Sequence, residues 1–150
     1  MSNIKIIGQY IKDLSFEVPN APKVFLSQQP KPDISISINI DAVKVSEENL
    51  FEVSLRITAD AVANKERLFL CEVVYSGVFA IQNSVEEEML EQILLIYCPN
   101  LLFPFIRKVI ASNTVDGGFP PLMLDPIDFA DLYDKRKKAT SSTPISDTKN

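Results

Sequence analysis

Apolar and polar residues alternate along much of the first half of the chain, with the two-residue period of a half-buried β-strand. The clearest run is 33–41, where isoleucines at the even positions alternate with serine and asparagine. The same alternation covers 51–61, and over 4–18 six apolar residues, Tyr10 among them, share the even positions opposite polar residues such as Gln9. We therefore expect three strands that each place one face on a core.

A fourth strand, 68–81, carries apolar residues on both faces. Such a strand is either central in the sheet and covered on both sides, or uses one side as an interface, and the pattern leaves both readings open. The short polar segment Asn64-Lys65-Glu66 separates it from the preceding strand and is typical of a hairpin turn. The sheet is therefore predicted to be antiparallel.

Beyond this strand the apolar residues follow the period of a helix. Ser84 and Glu87 match a capping box, which predicts a helix that begins at about Val85. Its apolar residues spread well beyond one face, so the helix needs cover on two sides. Two prolines follow, and because proline removes a backbone hydrogen bond and crowds the preceding turn, we expect a kink or break near Cys98.

The glycine pair 117–118 is expected to end this helix, and the proline-rich segment 119–126 must then run extended as a crossover loop with an apolar face. Asp128 is positioned to cap a last helix that carries Phe129, Leu132 and Tyr133 on one side.

The predicted fold class is α+β. A four-stranded antiparallel sheet packs with a long kinked helix and a second C-terminal helix, and an extended crossover loop joins the two helices. This domain is expected to span 1–134. From residue 135 the chain turns into a basic cluster and a Ser/Thr-rich end, a composition that buries nothing, so 135–150 is predicted to be a disordered tail.

Composition argues against enzymatic chemistry. The chain has no histidine, so the commonest general base near neutral pH and the commonest zinc ligand are both missing. Cys71 and Cys98 lie far apart and are expected to be two buried thiols. No phosphate-binding Gly-x-x-x-x-Gly-Lys loop is present, so no nucleotide site is expected. We also expect no metal or other cofactor. A hydrolase that uses Asp125 and Asp128 is the enzyme alternative, but both acids suit loop and cap positions.

Charge narrows the choice of partner. The net charge is −5, but residues 1–134 hold 10 basic and 19 acidic residues, which leaves −9 on the predicted domain and +4 on the tail. An acidic domain is a poor ligand for nucleic acid or anionic lipid, and it attracts a basic protein surface instead. The first residues show no basic leader or long apolar run, so a cytoplasmic protein is expected.

The segment 93–129 is too apolar for a lone monomer of this size to bury completely. This excess predicts a protein that binds apolar surfaces, either those of other proteins or those of its own copies. A purely structural homo-oligomer would use the same surface for self-assembly alone.

Four motifs, in one order and with compatible spacing, resemble the SecB family of bacterial protein-export chaperones. They are DLSFEVPNAP at 13–22, FLCEV at 69–73, YCPNLLFP at 97–104, and GFPPLML at 118–124 with PIDF at 126–129. The resemblance covers about residues 10 to 134. It implies a homotetramer, a dimer of dimers, whose hydrophobic grooves hold unfolded precursor proteins until they pass to the translocase motor SecA. No membrane insertion and no nucleic-acid partner are implied.

The resemblance also implies roles for particular residues. Contacts to SecA would be made by Asp13, Glu17, Leu70 and Glu72. The strand face that supports tetramer assembly would be formed by Phe69, Cys71, Val73 and Tyr75, for which an ordinary core is the alternative. The groove for unfolded clients would be lined by Phe119, Leu122, Leu124, Ile127, Phe129, Leu132 and Tyr133. A SecB-like chaperone dedicated to a toxin–antitoxin pair remains open.

Overall fold

A computed structural model describes residues 4–28, 31–82 and 85–142. These residues form four strands and three helices. In chain order they are β1 (Ile4–Glu17), α1 (Lys23–Leu26), β2 (Asp33–Ser46), β3 (Leu50–Ala63), β4 (Glu66–Ile81), α2 (Glu87–Asp116) and α3 (Phe129–Ser142). The predicted α+β class is confirmed, since one sheet packs with a long helix and a C-terminal helix.

The four strands form one antiparallel sheet in the order β1-β4-β3-β2. The predicted hairpin joins β3 to β4 through Asn64 and Lys65, whose φ angles of 53° and 64° are those of a tight turn that follows the twist of the strands. β1 crosses over to pair with β4, so β4 is central, as one reading of its two apolar faces required.

The two faces of the sheet differ in what they carry. The inner face, which packs against α2, holds the odd-numbered residues of β3 and β4, and those from Val53 to Ala61 and from Phe69 to Phe79 are buried. The outer face holds the even-numbered residues of the same strands, which are mostly polar in β3. The isoleucines of β2 lie on the inner face, as their alternation predicted, because Ile38 pairs with Ile57.

The prediction that all even residues of β1 share one face is wrong. The pairing of β1 with β4 shifts between Ile6 and Gly8 and again between Ile11 and Asp13, and each bulge adds one residue that reverses the alternation. Between the bulges Tyr10 therefore lies on the outer face, whereas Gln9 lies on the inner face, where its amide donates to the Tyr75 hydroxyl at 3.2 Å.

Helix α2 begins at Glu87, close to the predicted start, while Ser84 of the capping box lies outside the described residues. The predicted irregularity is present one turn before Cys98, as a π-helical turn at Ile93–Tyr97. A π turn there absorbs the backbone mismatch that Pro99 introduces in the next turn. The helix then continues to Asp116.

By length and composition alone, α2 is apolar enough to cross a membrane, but 44% of its most apolar window is buried inside this chain. On the side of α2 that faces the sheet, the side chains of Leu102, Ile106 and Ile110 are fully buried. Packing on the sheet accounts for the apolar character of that side. The remaining surface of α2, with Met89, Tyr97 and Phe105 among its exposed residues, is only partly covered by the described part of this chain.

The crossover loop runs from Phe119 to Asp128 without regular secondary structure, as predicted. Asp128 caps α3, since its Oδ1 accepts the Asp131 N–H at 2.9 Å. Disorder from residue 135 is wrong for 135–142, because α3 continues to Ser142. The basic side chains continue an amphipathic helix there, and Lys135 pairs with Asp131 one turn earlier at 3.0 Å. Residues 143–150 lie outside the described residues.

Candidate functional site

A cleft of about 380 Å³ lies between the inner face of β2, the π turn of α2 and helix α3. We call it the first cleft. Two of the groove residues expected from the resemblance, Leu132 and Tyr133, form its α3 wall, and Leu95 forms the wall from α2. The cleft is lined by Ile38, Asn39, Ile40, Leu95, Leu132, Tyr133 and Arg136.

A second cleft of about 280 Å³ continues from the first, because Leu95 and Arg136 line both. Its apolar lining comes from Ala42, Leu90, Leu94 and Leu95, and its polar lining from Asp41, Glu87, Glu91 and Arg136. The two clefts together form a groove beside the edge strand β2, in which apolar side chains of β2, α2 and α3 alternate with polar and charged groups.

A polar cluster holds α3 against the start of α2. The Tyr133 hydroxyl donates to Glu91 Oε1 at 2.5 Å, and this hydrogen bond is the main reason that the pKa of Tyr133 is raised. Lys137 Nζ lies 5.5 Å above the Tyr133 ring and 3.6 Å from Glu88 Oε1. Arg136 Nη1 reaches the Ile40 carbonyl of β2 at 3.4 Å. The basic turn of α3 therefore helps to set how far the first cleft opens.

The crossover loop contributes fewer groove residues than expected. Leu124 and Phe129 are buried, at 5% and 1% exposed, and Phe129 packs edge-on against Phe103. Their assignment to an open groove is wrong for this conformation, because both side chains anchor the loop and α3 in the core. Phe119, Leu122 and Ile127 are half-buried and pack on the core from its rim.

Several exposed apolar residues outside the first and second clefts were not expected from the sequence. Leu26 is 80% exposed, and Phe25 and Met123 are about half exposed. Ile34 and Ile36 continue the inner face of β2 beyond the first cleft and are also exposed. The unbroken alternation of β2 pointed to these isoleucines, but it could not show that the helices stop short of covering them.

A third cleft, of about 420 Å³, lies at the opposite edge of the inner face, between β1 and the C-terminal half of α2. Tyr75 and Phe105 stack at its centre with ring centroids 5.9 Å apart. Ile11 of β1 is exposed beside it. The cleft is lined by Tyr10, Ile11, Tyr75, Phe105, Lys108, Val109, Ser112 and Asn113.

The structure brings the expected acidic set together on the outer face of β1 and β4. Glu17 pairs directly with Leu70, and Asp13 pairs with Val74 four residues further along β4, with Glu72 midway between them. The bulge between Ile11 and Asp13 is what returns Asp13 to the outer face. Asp13 and Glu17 are exposed, whereas Leu70 and Glu72 are half-buried.

Basic and hydroxyl groups of β3 and β4 partly neutralise this acidic surface. Glu72 accepts a hydrogen bond from Thr58 at 3.2 Å and lies 3.4 Å from Arg56 Nη1. Arg67 donates two hydrogen bonds to the Asp60 carboxylate, at 2.8 and 3.0 Å, and this lowers the pKa of Asp60. Glu72 is therefore stabilised within its own sheet, which explains a charge in an otherwise apolar strand.

The residues expected to support tetramer assembly lie in the core of the single chain. Phe69, Cys71, Val73 and Tyr75 are all on the inner face and at most 9% exposed. Phe69, for example, is covered by Phe16 and Phe119, with ring centroids 5.4 and 5.0 Å away. Phe69, Cys71 and Val73 are therefore core residues of the single chain, in line with the core alternative, whereas Tyr75 also lines the third cleft.

The described residues offer little for catalysis or metal binding. Cys71 and Cys98 are free and buried, as expected, and burial raises the pKa of the Cys71 thiol to about 11 and that of Cys98 to about 12. No group of three or more Cys, Asp or Glu side chains in the described part of the chain is arranged to hold a metal ion. Asp128 is used as a helix cap and Asp125 is exposed.

The chain matches the family model described as preprotein translocase subunit SecB over residues 1–140. It is 50% identical over 141 residues to the protein-export protein SecB of Anaplasma marginale (strain Florida), with 87% of this chain and 80% of that protein covered. The protein of the same name from Rhodopseudomonas palustris (strain HaA2) is 52% identical over 130 residues, with 87% and 81% covered.

A solved structure shares the fold. It is a SecB-like chaperone of Mycobacterium tuberculosis in complex with a ChAD peptide from the HigA1 antitoxin. It superposes with a TM-score of 0.64 at 18% identity, over 84% of this chain and 92% of that one. The sheet order, the long helix and the four sequence motifs agree with the match of the family model. This chain therefore belongs to the SecB family of protein-export proteins.

Proposed function

We propose that this chain is a cytoplasmic chaperone that binds unfolded precursor proteins in the groove formed by the first and second clefts. It keeps them competent for export and passes them to the SecA motor. The observation that carries this proposal is the groove itself: apolar side chains of β2, α2 and α3 line two joined clefts that the chain does not fill. The names of relatives at about 50% identity favour export over a toxin–antitoxin role.

The groove suits a client of no particular sequence. Burial of apolar side chains gains about 25 cal/mol for each Å² removed from water, whatever their order along the client. Ile34 and Ile36 extend the apolar surface past the first cleft, so a long extended segment finds contacts beyond it. Several such grooves on one oligomer would hold one client more tightly than any single groove.

The groove is tested by placing a charge in it. Ile38 is half-buried and lines the first cleft, so Ile38→Asp should weaken binding of a permanently unfolded, carboxymethylated protein by at least about tenfold. The matched control is Ser37→Asp, which puts the same charge on the exposed outer face of the same strand. Equal binding by both variants, measured by calorimetry at unchanged particle mass, would refute the placement of the groove.

Delivery is proposed to use the acidic set on the outer face, which lies on the opposite side of the sheet from the groove. A client and the motor could therefore be bound at once. Glu72→Lys should lower the affinity for SecA, and added salt should lower it further for the original chain. Glu48→Lys makes the same charge change in the β2–β3 turn and is the control. Unchanged SecA affinity in Glu72→Lys would contradict the assignment.

Assembly as a tetramer, a dimer of dimers, is proposed to use the third cleft and the partly covered surface of α2. Exposed Ile11, Tyr97 and Phe105 make this surface too apolar to face water in a stable monomer. Light scattering should give four times the mass of the chain, and Phe105→Glu should lower it. If the original chain were monomeric and still bound unfolded protein, the proposed assembly would be wrong and client binding would not depend on it.

A further inference from the structure

The backbone of the crossover loop is held at one residue. The N–H of Phe119 donates to the Thr114 carbonyl at 2.9 Å, and the N–H of Leu122 donates to Thr114 Oγ1 at 2.9 Å. For the rest of the loop up to Asp128, the described residues show no hydrogen bond from a backbone N–H. A single threonine in the last turns of α2 therefore accepts both of the hydrogen bonds that N–H groups of the loop donate.

The Thr114 side chain is fully buried, and both of its hydrogen-bonding roles are used. Its Oγ1 donates to the Ala111 carbonyl at 2.8 Å while it accepts from Leu122. A buried hydroxyl is costly unless it is paired, and valine would fill the same volume without that cost. The hydroxyl is therefore explained by the bond to the loop and not by packing.

Two glycines let the loop leave the helix close to its anchor. A Cβ on Gly117 would lie 2.2 Å from the Phe16 ring, and one on Gly118, whose φ is +94°, would lie 2.9 Å from the Phe25 ring. The loop then brings Phe119 onto Phe25, with ring centroids 5.3 Å apart. The entrance of the loop is thus fixed by close packing, and its middle by Thr114.

The residues after Leu122 show what this anchor controls. Met123 is 56% exposed, while the next side chain, Leu124, is buried at 5%. A loop without regular structure has no ladder of hydrogen bonds to set which side chain points outward. The bond from Leu122 to Thr114 supplies that register one residue before the exposed methionine.

We propose that Thr114 is a positioning residue for client binding: its hydroxyl fixes Leu122, so that Met123 is presented to the client and Leu124 to the core. This inference rests on the proposed function and extends the client-binding surface from the first and second clefts to the exposed Met123, which lines neither cleft. It makes Thr114 part of the binding mechanism although its side chain is inaccessible to any client.

Hydrogen exchange on the unmodified protein tests the anchor first. The Leu122 amide should exchange at least about tenfold more slowly than those of Met123 and Asp125, which the structure leaves without a partner. Equal exchange at the three amides would overturn the proposal. This measurement does not depend on any variant or on any client.

Two substitutions at Thr114 then separate the hydroxyl from the packing. Thr114→Val keeps the volume and removes the hydroxyl, so it should lose the protection at Leu122 and weaken binding of the carboxymethylated protein by about three- to tenfold. Thr114→Ser keeps the hydroxyl and loses a methyl group, so it should retain both properties. Original affinity and protection in Thr114→Val would overturn the proposal.

Met123→Ser should weaken client binding while leaving exchange at Leu122 unchanged, since the side chain is exposed and the anchor intact. Unchanged affinity in Met123→Ser would remove the proposed link between the anchor and the client. If the original chain bound no unfolded protein, the proposed function would fail, whereas the exchange experiment would still decide whether Thr114 holds the loop.

Discussion

The two faces of the sheet are built from the same strands and do different work. On the inner face, side chains from Val53 to Ala61 and from Phe69 to Phe79 are buried against α2, and this burial stabilises the fold. On the outer face, hydroxyl pairs and ion pairs such as Ser54 with Ser76 and Arg67 with Asp60 satisfy one another across strands. The difference teaches that alternation in β3 and β4 puts the side chains that stabilise the fold on one face and charged groups on the other, so each set can be altered without the other.

The largest expected effect comes from a cavity on the inner face. Leu55 is fully buried, so Leu55→Ala should lower the free energy of unfolding by about 2–5 kcal/mol. Its outer-face counterpart is Ser37→Ala, an exposed position that should change stability by about 0.5 kcal/mol or less. Urea denaturation measures both. A comparable loss of unfolding free energy in the two variants would contradict the conclusion that the inner face stabilises the fold.

The two buried thiols, Cys71 on the inner face and Cys98 in α2, should resist alkylation. Because burial raises the pKa of Cys71 to about 11 and that of Cys98 to about 12, little thiolate forms near pH 8. We expect iodoacetamide to modify the native chain on the order of a hundredfold more slowly than the urea-unfolded chain. Ser37→Cys, on the outer face, provides an exposed thiol that should react at once. Rapid modification of Cys71 in the native chain would contradict the packing.

A smaller effect is expected where β1 meets the start of the crossover loop. Gly117→Ala would place a Cβ 2.2 Å from the inner-face ring of Phe16 and should lower the free energy of unfolding by about 1–3 kcal/mol. Gly8→Ala is the matched control on the outer face of the same strand, because no atom lies within 4 Å of the added Cβ. It should leave the thermal midpoint unchanged or raise it slightly.

The smallest effect concerns charge on the outer face. Hydrogen bonds from Lys12 and then Tyr10 lower the pKa of Glu52 below 4.5, so its carboxylate stabilises the fold above that pH, and the contribution is lost as the pH falls through the lowered value. Glu52→Gln should cost about 1 kcal/mol or less at pH 7, and the difference from the original chain should vanish in acid. Urea titrations across pH measure it, and a constant difference would contradict this assignment.

Much of the fold could be predicted from local patterns. The alternation of β2 and β3 fixed which residues face the core, and the Asn64-Lys65 turn fixed the antiparallel pairing. The faces of β1 could not be predicted, because a bulge adds a residue without any sequence signal that distinguishes it from continued alternation. Residues 135–142 were predicted to be disordered from composition alone, whereas contacts with Glu88 and β2 support a helix there.

Part of the candidate site could likewise be predicted from the sequence, and part could not. The acidic set lies within two of the motifs and the α3 wall of the first cleft was expected from the resemblance, and the structure brings each set together. Which apolar residues stay open could not be predicted, since Leu124 and Met123 are equally apolar and adjacent, yet only Met123 is exposed. Exposure depends on how far α2 and α3 extend over the sheet, and that is a property of the assembled fold.

The strand order has a consequence for synthesis on the ribosome. β1 is translated first, but its partner in the sheet is β4, which is complete only at Ile81. At about 5–20 residues per second, the first strand waits several seconds for a neighbour while β2, β3 and β4 can close as successive hairpins. During those seconds, the β1 segment of every newly made copy leaves its backbone hydrogen-bonding groups unpaired and its apolar side chains exposed.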